Sequence, residues 1–160
     1  MTHPLPPTPH TAYMYLALEQ AKQAYQTGEA PVGAVIAEDN RILAQCHNER
    51  EARKDPLAHA ELLALREAAR MKGDWRLTQC DLYVTLEPCA MCAGALLAAR
   101  IRRIVFGAYD PKQGCCGSVY LLPMDPELGG ACEVSGGVLE KECAALMEAF
   151  FKERRRKARG

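Results

Sequence analysis

Apolar residues along this 160-residue chain switch between a helix-like and a strand-like period, and the switches mark out its elements. Tyr13, Ala17, Ala21, Ala24 and Tyr25 recur at helical spacing and predict a helix over 13–26, closed by Gly28. The run PVGAVIA (31–37) predicts a buried strand; Glu38-Asp39-Asn40 turns the chain, and 41–46 returns as its hairpin partner. Asp55 as N-cap and Pro56 in the first turn predict a helix to about residue 71, with Leu62, Leu65 and Ala69 on one face. DLYVTL (81–86) is a strand by composition, an alanine-rich helix follows over 89–100, and RRIVFGA (102–108) is a further strand. Residues 110–130, rich in glycine and proline, form a long connection with at most a short helix near Tyr120. Leu139, Cys143, Leu146, Met147 and Phe150 then mark an amphipathic helix over 138–156. Strands alternating with helices give an α/β layered domain. Its expected organisation is a flexible, proline-rich lead-in (1–10) followed by one domain over 11–160.

Composition narrows the class. Apolar residues make up 49% and charged residues 25%, as in ordinary globular proteins. No apolar run approaches the roughly 20 residues of a membrane span, and the first ten residues lack the basic and apolar regions of a signal peptide. Eight cysteines in such a chain fit reduced thiols and a cytoplasmic setting. Cys46, Cys80, Cys132 and Cys143 sit among apolar neighbours as small core residues, and Cys115-Cys116, between Gly114 and Gly117, reads as a loop of small residues in preference to a second metal or redox site. Net charge is zero but unevenly spread: KERRRKAR (152–159) holds six basic residues and one acidic, which suggests a polyanion contact at one edge.

The chemistry concentrates in two short motifs, His59-Ala60-Glu61 and Glu87-Pro88-Cys89-Ala90-Met91-Cys92. Catalytic zinc takes three protein ligands and keeps a fourth position open. His59, Cys89 and Cys92 would be the three, with Glu61 left free to move protons; no fourth ligand stands in register, as structural zinc would need. The pattern H-x-E…P-C-x-x-C is a signature of zinc nucleobase deaminases. Both halves fall in predicted first turns of helices, whose positive ends favour thiolates, at the carboxyl edge of an expected parallel strand pair. Such a site lowers the pKa of a water to about 7, and Glu61 would pass its proton to the ring nitrogen and the leaving amine. A redox Cys-x-x-Cys is the bland alternative, but it lacks the upstream His-x-Glu.

With these motifs in hand, the chain resembles the cytidine deaminase-like superfamily and, within it, the bacterial tRNA-specific adenosine deaminases. The likeness runs through APVGAV (30–35), Asn48, DPLAHAELLALR (55–66), LYVTLEPCAMCAGA (82–95), RIVFGAYDPKQG (103–114) and GGVLEKECAALMEAFFKERRR (136–156). It implies a three-layer α/β/α fold around a mixed five-stranded sheet, one Zn2+ per subunit and a homodimer. The implied substrate is the anticodon stem-loop of an arginine tRNA, whose wobble adenosine becomes inosine. The same matching implies that Asn48 hydrogen-bonds the flipped base, that Ala60 N–H contacts the purine, and that Pro31 and Leu86 belong to the substrate site. Asp110 would contact the sugar edge, and Phe150, Phe151, Arg154 and Arg155 would cover flanking loop nucleotides. Tyr109 stands where a basic residue is common in that family, Cys115-Cys116 where smaller residues are, and Ala30 in place of a larger aliphatic. Two other functions compete: deamination of a free base or nucleoside such as guanine, and non-catalytic RNA binding by a zinc protein.

Overall fold

The computed structural model describes residues 9–160. Of the expected lead-in, residues 1–8 lie outside the described residues, while Pro9 and His10 already belong to the first helix, α1 (Pro9–Gln26). The hairpin strands β1 (Gly33–Glu38) and β2 (Arg41–His47) follow, with Asp39 and Asn40 at positive φ in the turn. Next come α2 (Arg50–Arg53), α3 (Ala60–Lys72), β3 (Asp81–Leu86), α4 (Ala90–Ala98), β4 (Arg103–Ala108), β5 (Glu133–Ser135) and α5 (Glu140–Arg159). The long 110–130 connection carries two 3-10 turns, Leu122–Met124 and Pro126–Leu128.

The sheet has the order β2-β1-β3-β4-β5. β1 is antiparallel to β2 and β3, and β3, β4 and β5 are parallel, so the sheet is mixed. Side chains alternate between its faces, and that alternation builds two cores. Val35, Ala37, Tyr83 and Val105 face one side with Met14, Ala17 and Leu18 of α1 and Cys143 of α5. Ala34, Ile36, Leu82, Val84, Ile104 and Phe106 face the other, with Ala60, Ala64 and Ala68 of α3 and Ala93 and Leu96 of α4. The result is the expected three-layer α/β/α sandwich. Small residues set how closely its layers approach: a Cβ at Gly107 would lie 2.4 Å from Cys143 Sγ, and one at Gly33 only 2.0 Å from the Ala17 carbonyl oxygen.

Two local expectations change. Asp55 does not cap α3; its Oδ1 accepts from Leu57 N at 2.9 Å in a tight turn, and the helix begins only at Ala60. The strands feeding the two motif helices point the same way, but β1 lies between β2 and β3, so they are not a neighbouring pair. The carboxyl ends of β2, β3 and β4 still meet at one edge of the sheet, and the motifs follow them there.

Candidate active site

His59 and Cys89 occupy equivalent places, each the extended residue before a helix. His59 (φ −74°, ψ 149°) precedes α3, and Cys89 (φ −75°, ψ 178°) precedes α4. Neither side chain caps its helix, so both are free to converge. Cys92 sits one turn into α4, on the same side as Cys89. His59 Nδ1 lies 3.5 Å from Cys92 Sγ and 3.7 Å from Cys89 Sγ, and the three donor atoms all fall within 4.8 Å of one another. A tetrahedral zinc with bonds of about 2.0 Å to nitrogen and 2.3 Å to sulfur places such donors about 3.5 Å apart. The donor set therefore fits zinc in both chemistry and spacing.

Protons are shared unequally among these groups. The Cys92 hydrogen bond, aided by His59 and opposed by burial, holds the Cys89 thiol down at about 4. Cys92 is pushed far up, first by its bond to Cys89 and then by burial and the nearby Glu61. The His59 imidazole is raised by its hydrogen bond with Cys89, against the effect of burial. A divalent cation bound here would take the place of a thiol proton. Glu61, 4% exposed in the first turn of α3, has its carboxyl raised, mainly by burial. A carboxyl that takes up a proton more readily than usual suits a group that must accept one and hand it on.

His59, Glu61 and Cys89 form the floor of a cleft of about 640 Å³, with Cys92 buried behind it. Ala30, Val32, Asn48 and Arg50 line one wall, Leu86, Glu87 and Tyr109 to Gln113 another, and Met147, Phe150, Phe151, Arg154 and Arg155 of α5 a third. A family model of the cytidine and deoxycytidylate deaminase zinc-binding region matches residues 7–108. The chain is 47% identical over 145 residues to the tRNA-specific adenosine deaminase of Bacillus subtilis, covering 91% of this chain and 90% of that protein. It is also 47% identical over 143 residues to the tRNA-specific adenosine deaminase of Haemophilus influenzae, covering 89% and 83%. A structure solved in studies of A-to-I editing by tRNA:A34 deaminases superposes with a TM-score of 0.82 at 43% identity, covering 85% of this chain and 99% of that one. The chain belongs to the zinc-dependent cytidine and deoxycytidylate deaminase family.

The walls of this deaminase place most of the anticipated residues. Asn48, just past β2, is 7% exposed; its Oδ1 accepts from Arg50 N at 3.2 Å and its Nδ2 donates to the Ala30 carbonyl at 3.4 Å. An amide offers two donors and two acceptor positions, so one of each remains for a ligand. Asp110 Oδ1 accepts from Lys112 N (3.1 Å) and Gln113 N (3.2 Å), while Oδ2 takes neither bond. Ala60 and Leu86 line the cleft; Pro31 is buried beneath it, and its neighbours Ala30 and Val32 form the wall there. Phe150 is 6% exposed and packs edge-on to Tyr25 at 6.2 Å, whereas Phe151 is 46% exposed. The Arg154 guanidinium lies 5.2 Å above the Phe150 ring. Cys115 and Cys116 are buried, and their backbone amides donate to Pro88 O and Glu87 Oε2.

Sequence reading missed Arg50, Lys112 and Met147 as lining residues, and Tyr109 figured only as a departure. It also gave no part to two buried carboxylates, Glu29 and Glu87. Glu29, 1% exposed, accepts from Glu51 N (2.9 Å) and Ala52 N (2.8 Å), holding the turn beyond Asn48; Glu87 does the same for the opposite loop. Glu29 merely abuts the APVGAV block, and Glu87 opens the second motif with no part assigned to it.

Proposed function

We propose that this protein is a zinc-dependent tRNA adenosine deaminase that converts the wobble adenosine of an anticodon, that of an arginine tRNA, to inosine. The observation that carries this reading is the company the metal triad keeps. Beyond the floor of His59, Glu61 and Cys89, the cleft extends past Arg50, Lys112, Arg154 and Arg155 and two half-exposed aromatic rings, Tyr109 and Phe151. A free base needs no such rim, whereas a loop of single-stranded RNA offers phosphates to the cations and bases to the rings. The named relatives, 47% identical over nine-tenths of the chain, support the same substrate.

In this reading an anticodon-loop adenosine, already unpaired, swings into the cleft at little cost. The free donor and acceptor of Asn48 and the Ala60 N–H hold the purine edge, and Asp110 takes the ribose. Zinc, held by His59, Cys89 and Cys92, would supply the acidity that makes water a nucleophile toward C6. Glu61 accepts a proton from that water and delivers protons to the ring nitrogen and the departing amine, so water and adenosine leave as inosine and ammonia. Self-association fits a further surface: α4 exposes Ala90, Gly94 and Ala98 beside exposed Tyr120, Leu121 and Met124. A homodimer in the cytoplasm, where tRNA resides, is therefore part of the proposal; a single-subunit mass in light scattering would remove the dimer.

The decisive experiment incubates purified zinc-loaded protein with an anticodon stem-loop carrying adenosine at the wobble position, with free guanine and cytidine in parallel. Inosine at that one position is expected. Turnover of guanine or cytidine with none of the RNA would replace this reading by small-molecule deamination.

A further inference from the structure

Glu87 stands between the metal motif and the substrate loop with no assigned part in either. Its carboxylate is 2% exposed and has no cationic partner among the described residues. Four donors from one loop meet it instead. Oε1 accepts from Asp110 N at 3.1 Å and from the Ser118 hydroxyl; Oε2 accepts from Cys116 N at 3.0 Å and Ser118 N at 2.9 Å. Glu87 N donates to Ala108 O, and Cys115 N to Pro88 O, each at 2.8 Å. Residues 110–118 thus close around one charged group two positions before Cys89. The enclosure is tight enough to dictate Gly114, where a Cβ would lie 2.3 Å from Glu87 Cδ. Every group that meets the two oxygens is a donor, the setting that an acceptor-only carboxylate requires.

We propose that Glu87 is a positioning residue for deamination: it ties the 110–118 loop to the strand end that carries Cys89, and so fixes where Asp110 stands relative to the metal triad. The proposal rests on the reading that Asp110 contacts the substrate ribose. The tie is electrostatic. A carboxylate gathering backbone N–H groups makes charge-assisted bonds, stronger than neutral ones, and these converge from residues 110, 116 and 118 on a single point. Without the charge, three amides and a hydroxyl lose a common acceptor and the loop loses its fixed height over the metal. Misplacing a group that touches substrate by about 1 Å can cost up to about 10²-fold in rate.

A double-mutant cycle separates this role from mere support of the fold. Glu87→Gln keeps the shape but turns one acceptor into a donor facing donors. It is compared with Asp110→Asn and the double variant, by single-turnover inosine formation on a stem-loop and by zinc content. Zinc content near that of the wild type is expected, with turnover lower by about tenfold or more in Glu87→Gln and little further loss once Asp110 is already changed. Losses that simply multiply, or Glu87→Gln within about twofold of the wild type, would overturn the proposal. Ser118→Ala, which removes one donor of the four, is the milder variant should Glu87→Gln fail to fold. Its smaller loss must also vanish in the Asp110→Asn background, and multiplication again counts against the idea. Amide hydrogen exchange supplies a readout free of any substrate: in either variant the Asp110, Cys116 and Ser118 amides should exchange faster while α4 stays protected. Unchanged protection of those amides overturns the clamp whatever the substrate is. Absence of inosine with the wild type sinks the proposed function instead, and leaves the exchange test standing.

Discussion

Glu61 shows how much one side chain owes to its place. It lies in the first turn of α3, one position past the backbone N–H of Ala60 and two past His59, so the residue that moves protons is fixed by the same turn that presents a metal ligand. Burial raises its carboxyl, so it takes up a proton more readily than a free carboxylate does. Glu61→Gln preserves volume and hydrogen bonding but cannot accept a proton. Zinc content should therefore persist while turnover falls by about 10²–10⁴-fold, the range attributed to general acid–base groups. Metal analysis alongside inosine formation checks this, and a variant within a few-fold of the wild type would rule out the assigned role. The triad and Glu61 were legible in the sequence because metal chemistry demands rare residue types at short fixed spacings. Arg50 and Lys112 were not, since nothing distinguishes an arginine or lysine at a cleft from one on an ordinary surface.

Elements were legible in proportion to their length and burial. DLYVTL became β3 with both ends as anticipated, because a run of apolar and β-branched residues has no other stable use here. β5, three partly exposed residues at the sheet edge, and the four-residue α2 carry no periodicity to detect. The start of α3 was misplaced by four residues: Asp55-Pro56 has the chemistry of a helix start, but the chain spends it on a turn and keeps His59 extended beside the other metal ligands. In α5 the sequence left Phe150 and Phe151 equivalent, and only packing separates them. Phe150 sits against Tyr25 and under Arg154, so Phe150→Ala should cost about 3–5 kcal/mol in denaturant unfolding. Half-exposed Phe151 should cost within about 0.5 kcal/mol of stability when changed to Ala, yet weaken stem-loop binding by about 1–3 kcal/mol through lost stacking. Equal effects of the two changes on stability would show that this division along α5 is wrong.

At the scale of the whole molecule, 20 basic and 20 acidic residues cancel, so any attraction for RNA comes from placement and not from net charge. The basic run closes α5 and brings Arg154 and Arg155 to the cleft. Replacing both with alanine should weaken stem-loop affinity and flatten its dependence on salt, by about one in the log–log slope for each phosphate no longer neutralised. Titrations at several salt concentrations measure both, and an unchanged slope would take these arginines off the RNA. One hydrogen bond gives this end of the molecule a further property. Tyr25, near the end of α1, donates its hydroxyl to Glu153 Oε2 at 2.7 Å, next to Arg154 in the chain. A charged helix end left to itself would fray, and a polyanion would have to order it on arrival. Tethered to α1, the arginines are arrayed before any ligand comes, so the entropy of ordering them is lost during folding and weighs less against association.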